Sequence, residues 1–97
     1  MEPNIIIEVR FKTPDENGRQ TDVTGNYYAC PLIVDDEGFD CRLLLSGRHL
    51  ELGKTYQVPV KFMNWQLVQP RLHEGKSFIL WEGKDVATGI IMHIETK

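Results

Sequence analysis

The chain has 97 residues and a mass of 11.2 kDa, which is enough for one hydrophobic core and too little for two, so we expect residues 1–97 to form a single domain. With 41% hydrophobic and 26% charged residues, it has the composition of a folded globular protein, which excludes a disordered chain. A net charge of −3 gives the chain as a whole no attraction to nucleic acid or anionic membranes, so such binding would need a local basic patch.

The beginning of the sequence lacks the features of a targeting segment. No basic residue precedes the short apolar run at 5–7, and Glu8 ends that run. Nowhere does the chain approach the roughly 18 apolar residues that would cross a bilayer. We therefore expect a cytoplasmic protein without a membrane segment.

The first predicted element is a strand at residues 5–12. From Ile7 onward apolar and polar residues alternate there, as in a strand with one face buried. Residues 13–25 are polar and contain the turn dipeptide Asn17-Gly18, so they predict a long loop.

A hairpin is predicted next. Residues 27–34 and 41–45 have the aromatic, β-branched and apolar composition of strands, and the acidic segment 35–38 between them predicts the turn. Such a hairpin could place Cys30 opposite Cys41. Because nothing points to an oxidising compartment, we expect two reduced, half-buried thiols and not a disulfide.

Residues 55–62 alternate again, with Pro59 on the outward phase, which fits an edge strand or a bulge. Only residues 65–73 could hold a turn of helix, and Pro70 limits even that.

The last two strands are predicted at 78–81 and 86–94, joined by a polar turn that contains Gly83. Gly89, inside the last strand, predicts a bulge or the close approach of another backbone. About six short strands with almost no helical periodicity indicate an all-β sandwich or barrel. Closure into a barrel would remove the exposed sheet edges.

No pattern in the sequence predicts catalysis, a metal site or a nucleotide site. The segment from Gly47 to Thr55 ends like a phosphate-binding loop, but it has one residue too many between its glycines and leads into a strand where that loop opens a helix. The carboxylates cluster in turns, the serines lack a nucleophile context, and the three histidines lack ligand spacing. We therefore expect a non-enzymatic protein with no cofactor.

Aromatic residues with basic side chains nearby could bind a partner or stack on the bases of a nucleic acid. The candidates are Tyr27, Tyr28, Trp65 and Trp81. Trp81 follows an apolar run and is predicted to be a barrel-wall residue that packs either in the core or at an interface. Trp65 lies in a polar stretch and is predicted to be the more exposed of the two tryptophans.

Three short motifs follow one another in an order that is found in a known protein family. They are the loop 18–21 (Gly-Arg-Gln-Thr) with Tyr27 after it, the turn 52–54 (Leu-Gly-Lys), and the block 75–83 (Gly-Lys-Ser-Phe-Ile-Leu-Trp-Glu-Gly) with the strand 86–91. In this order they resemble the C-terminal β-barrel of the elongation factor Tu and elongation factor 1-alpha family. The resemblance implies a six-stranded antiparallel Greek-key barrel. In the family this barrel is the third domain, which helps to hold the T-stem of aminoacyl-tRNA and contacts the GTPase domain and regulatory partners. We expect a free-standing barrel here, without the GTPase domain and its hydrolysis of GTP.

Arginines of the family pattern are replaced in this chain. Ser77 and Trp81 stand at two such positions, and Tyr27-Tyr28-Ala29 replaces the family's Tyr-Arg-Pro. Each lost phosphate contact lowers affinity for RNA. A tryptophan in place of an arginine instead favours an apolar surface that binds a partner or self-associates.

Three functions follow as hypotheses. The first is a non-enzymatic module that contacts a protein partner through Trp81, Trp65 and Tyr28. The second is weak RNA binding, for example to tRNA, through Arg19, Tyr28 and Lys84, since Arg19 and Lys84 lie at or near basic positions of the family. The third is a decoy or immunity-type protein that imitates the elongation factor.

Overall fold

The computed structural model describes residues 2–95, which form a closed antiparallel barrel of six strands. The strands are β1 (Ile5–Phe11), β2 (Tyr27–Val34), β3 (Glu37–Leu44), β4 (Thr55–Phe62), β5 (Ser77–Trp81) and β6 (Asp85–Ile94). Apart from two short 3₁₀ turns, Pro14–Glu16 and Gln69–Arg71, the one helix in this part of the chain is α1 (Trp65–Val68). The predicted all-β class and antiparallel barrel are confirmed.

The strands follow one another around the barrel in the order β1, β4, β3, β2, β5, β6, and β6 pairs with β1 to close it. The strands β2, β3 and β4 form a meander and β1 lies beside β4, which is the Greek-key order. Residues from opposite ends of the sequence therefore meet, as in the pair Ile5 and Ile94.

The core fills the inside of the barrel with the apolar residues of each alternating strand. In β1 the residues Ile5, Ile7, Val9 and Phe11 are fully buried, and the residues between them are only half-buried. This is the pattern that the sequence predicts for a strand with one face inward.

Loops and short helical turns close the two ends of the barrel. At the upper end, where β1, β3 and β5 finish, Val23 and Leu50 form an isolated bridge and are both buried. At the lower end, where β2, β4 and β6 finish, α1 and the turn after it bury Val68 and Leu72. The loop 13–25 therefore contributes to the core through Val23, although it is mostly polar.

The predicted hairpin forms, but its second strand begins earlier than expected. Asp35 and Asp36 both adopt positive φ angles, 50° and 64°, as in the two central residues of a type I′ turn. Pairing resumes at once between Val34 and Glu37. The prediction that β3 starts at Cys41 is therefore wrong, because two residues are enough for this turn.

The two special positions predicted inside strands have clear structural reasons. A Cβ atom on Gly89 would lie 2.1 Å from the Glu8 carbonyl oxygen, so this glycine permits the close approach of β1. The edge strand or bulge predicted at Pro59 is wrong, because Pro59 lies opposite Ile6 in an unbroken β1–β4 ladder. It lies just beyond the last paired residues of the β3–β4 ladder, Leu43 and Val60. Proline is tolerated where the ladder ends.

Candidate interaction surface

The outer surface of the barrel is polar on some strands and apolar on others. On β1 and β4, outward positions carry residues such as Glu8, Arg10, Gln57 and Lys61. On β2 and β5 the outward positions are almost all apolar. We name this surface the β2–β5 face, and it consists of Tyr27, Ala29, Pro31, Ile33, Ile79 and Trp81.

The two strands of the β2–β5 face pair directly with each other. Ile33 lies opposite Ile79 in the β2–β5 ladder, so both side chains project from the same side of the sheet. Gly38 on β3 leaves room beside them, since a Cβ atom there would lie 3.1 Å from Ile33 Cδ1. Other exposed apolar residues, Ile90 and Met92 on β6, are flanked by Thr88 and His93.

Two large aromatic side chains dominate the exposed part of this face. Tyr27 is 54% exposed at the start of β2, and Trp81 is 44% exposed at the end of β5. Packing of Trp81 in the barrel core, one of the two predicted alternatives, is therefore wrong. Its exposure leaves the indole available for contact with another molecule.

Trp65 lies at the lower end of the barrel, away from Trp81. Its ring stacks on Phe62 with centroids 5.9 Å apart and an interplanar angle of 25°, so the side chain is half-buried. The prediction that Trp65 is the more exposed tryptophan is wrong. The helical turn α1 brings the ring back onto the end of β4, and the structure does not join Trp65 to the β2–β5 face.

Tyr28 points the opposite way from Tyr27 and packs partly into the upper end of the barrel. Its ring meets Phe11 edge to face at 5.3 Å, and the Arg19 guanidinium lies 5.2 Å from the ring centroid. No group in the part of the chain that the structure describes hydrogen-bonds to the buried Tyr28 hydroxyl. Contacts on its ring leave Tyr28 poorly placed to stack a base or a partner side chain.

Arg19 and Lys84, the predicted RNA-binding residues, both lie at the upper end of the barrel. Arg19 Nη1 lies 2.6 Å from Glu82 Oε2, so an acidic side chain neutralises its charge. Lys84 Nζ is 3.4 Å from Asn17 Oδ1 and forms no ion pair within residues 2–95. The structure therefore brings the two cations to one end but leaves little net positive charge between them.

Other charged side chains fasten the loops to one another. The His49 hydrogen bond and the Leu52 backbone N–H keep the pKa of Asp22 below its ordinary value. Lys76, whose Nζ lies 2.8 Å from Asp35 Oδ2, lowers the pKa of Asp35 in the same way. Hydrogen bonds from the Thr13 backbone N–H and from Arg10 lower the pKa of Glu16. These shifts come from hydrogen bonds and ion pairs that hold loops in place.

Within residues 2–95, no group of three or more histidine, cysteine or acidic side chains is arranged to hold a metal ion. No helix in the same range has the length and apolar character needed to cross a membrane.

The apolar members of the β2–β5 face were not all evident from the sequence. Pro31, Ile33 and Ile79 alternate with core residues of the same apolar type, so both faces of each strand look buried. The absence of polar residues on the outward side of these strands is the signal that could have indicated this surface. A strand with one face exposed to water usually alternates between apolar and polar residues.

The chain matches no family model, and no curated protein is significantly similar to it in sequence. The resemblance of its motifs to the third domain of elongation factor Tu therefore stays a prediction.

Proposed function

We propose that this protein is a non-enzymatic binding module that contacts a protein partner through the β2–β5 face. The observation that carries the proposal is the exposure of Trp81 and Tyr27 among the apolar outward residues of two strands that pair directly. Tryptophan and tyrosine are enriched among the residues that supply most of the binding energy at protein interfaces. An apolar surface around them provides area that a partner can cover.

The motif resemblance fits the same proposal. The barrel and its Greek-key strand order agree with the fold that the resemblance implies. We propose that the chain is similar to the third domain of elongation factor Tu, with protein contact kept and tRNA contact weakened. The proposal also includes a role associated with translation and a location in the cytoplasm.

Charge favours a protein partner over RNA. Binding to a phosphate backbone requires several cations that are free to replace counterions. Arg19 is paired with Glu82, and the ring of Tyr28 already contacts Phe11 and Arg19. These contacts leave Lys84 as the remaining cation of the predicted RNA-binding set.

Quantitative affinity purification from native lysate tests the proposal. The double variant Tyr27→Ala, Trp81→Ala removes the two exposed aromatic rings of the β2–β5 face. Its matched control is Met63→Ala, Leu67→Ala, which removes two side chains that are 61% and 65% exposed at the lower end. We expect the control to retain a partner that the first variant loses.

Binding of the purified partner should then weaken by roughly tenfold or more in the first variant, the effect of losing about 1.4 kcal/mol at an interface. Equal recovery of every partner by both variants would overturn the proposal. In parallel, a gel-shift titration with tRNA at low salt distinguishes the RNA alternative. If tRNA shifts in the gel and the shift depends on Arg19 and Lys84 but not on Trp81, RNA binding would replace protein binding as the proposed function.

A further inference from the structure

Two cysteines face each other inside the barrel. Cys30 on β2 and Cys41 on β3 are directly opposite residues of the antiparallel ladder, and both point into the core. Their exposed fractions are 7% and 2%, and both thiols are free.

The register of this ladder satisfies the main geometric condition for a disulfide. Directly opposite residues in an antiparallel pair have Cα atoms about 4.5 to 5.5 Å apart. Disulfides occur at Cα separations of about 4.4 to 6.8 Å. A bond between Cys30 and Cys41 therefore requires rotation of the side chains and no change of register.

The contacts of Cys41 place its sulfur beside Cys30. Cys41 Sγ lies 3.4 Å from the Cys30 carbonyl oxygen, to which the thiol donates. The hydrogen-bonding contact with the Cys30 side chain, followed by burial, raises the pKa of the Cys41 thiol. The Cys41 sulfur therefore lies beside Cys30 before any reaction takes place.

A shallow depression on the outside of the sheet lies over the pair. It has a volume of about 330 Å³ and is lined by Cys30 and Cys41 together with Ala29, Pro31, Asp40, Arg42 and Met63. Both thiols point away from this depression into the core; Cys30, 7% exposed against 2% for Cys41, is the more accessible of the two, so we expect a small reagent to react with it first.

We propose that Cys30 and Cys41 form a latent intramolecular disulfide site, which a small disulfide such as oxidised glutathione converts to a covalent link between β2 and β3. The Cys30 thiolate attacks one sulfur of the small disulfide and releases one thiolate, leaving a mixed disulfide on Cys30. The Cys41 thiolate then attacks Cys30 Sγ and displaces the second small thiolate. Two protein thiols are oxidised to one disulfide, the small disulfide is reduced to two thiols, and the protons from the cysteines go to the released thiolates.

The link would hold β2 and β3 together beneath the depression. Because a cross-link restricts the unfolded chain, the oxidised protein should have a Tm higher by roughly 10 to 15 °C. This inference is independent of the proposed function, because it depends on the ladder register and not on any partner.

The test is oxidation of the folded, full-length protein with oxidised glutathione at neutral pH and without denaturant. Mass spectrometry of the intact protein should show the loss of two hydrogens, and peptide mapping should place the bond between Cys30 and Cys41. Cys41→Ser should stop at the mixed disulfide on Cys30. Cys30→Ser should react much more slowly, because only the less accessible sulfur remains.

Three results would overturn the proposal. One is a product with glutathione on each cysteine and no bond between them. Another is a bond between two chains. The third is a Cys30–Cys41 bond that appears only when urea has unfolded the protein, which circular dichroism of the same samples would reveal.

Discussion

Two tyrosines show how the surroundings of one hydroxyl group decide its contribution to stability. The Tyr56 hydroxyl accepts a hydrogen bond of 2.9 Å from the Glu51 backbone N–H. The buried hydroxyl of Tyr28 has no partner among residues 2–95. A buried polar group without a partner costs free energy, whereas a satisfied one contributes to stability.

We expect Tyr28→Phe to leave the free energy of unfolding unchanged or to raise it by about 1 kcal/mol, because the ring contacts with Phe11 and Arg19 remain. Tyr56→Phe should lower it by about 1 kcal/mol. Urea denaturation of the two variants measures both values. An equal loss in both would show that the Tyr28 hydroxyl is satisfied after all.

At the scale of elements, the loops at the upper end act as a plug for the barrel. Leu50 is fully buried there, and its backbone N–H and carbonyl both pair with Val23. Leu50→Ala should lower the free energy of unfolding by about 2 to 5 kcal/mol, since it leaves a cavity in the core. Leu67→Ala, at a side chain 65% exposed, should change it by no more than about 0.5 kcal/mol. Urea denaturation compares the two, and similar losses would mean that Leu50 does not belong to the core.

The sequence predicted the positions of the strands better than it predicted the start of β3 and the exposure of Trp65. Alternation identified β1 and β4 because inward apolar residues alternate with polar outward ones. It could not locate the start of β3, where Phe39 is the one apolar residue between the turn and Cys41. The exposure of Trp65 depends on how α1 folds back onto Phe62, a contact between residues that no periodicity encodes.

For the whole molecule, ion pairs between separate segments make stability depend on pH. Glu16, Asp22 and Asp35 each have a lowered pKa in the folded protein, so the unfolded chain binds their protons more readily. The stabilisation they provide is complete above their ordinary pKa values of about 4. It is lost as the pH falls through the lower values of the folded state.

Asp35→Asn should therefore reduce the fall in the urea midpoint between about pH 5 and pH 3. Asparagine tolerates the positive φ of this turn, so the backbone can remain unchanged. Asp36→Asn is the matched control, because Asp36 lies in the same turn with a similar φ, and the ion pairs of this turn within residues 2–95 involve Asp35 and Glu37 instead. If both variants retain the full acid dependence of the unmodified protein, the ion pair of Asp35 with Lys76 does not contribute to it.

The pairing of β1 with β6 also sets the time at which the barrel can form. Ile5 and Ile94 are neighbours in space but lie near opposite ends of the described chain, so their contact closes almost the longest possible loop. Contacts between such distant residues slow folding, and β-rich domains dominated by them fold in milliseconds to seconds. During synthesis, β1 must therefore wait with one edge unpaired until β6 has emerged from the ribosome.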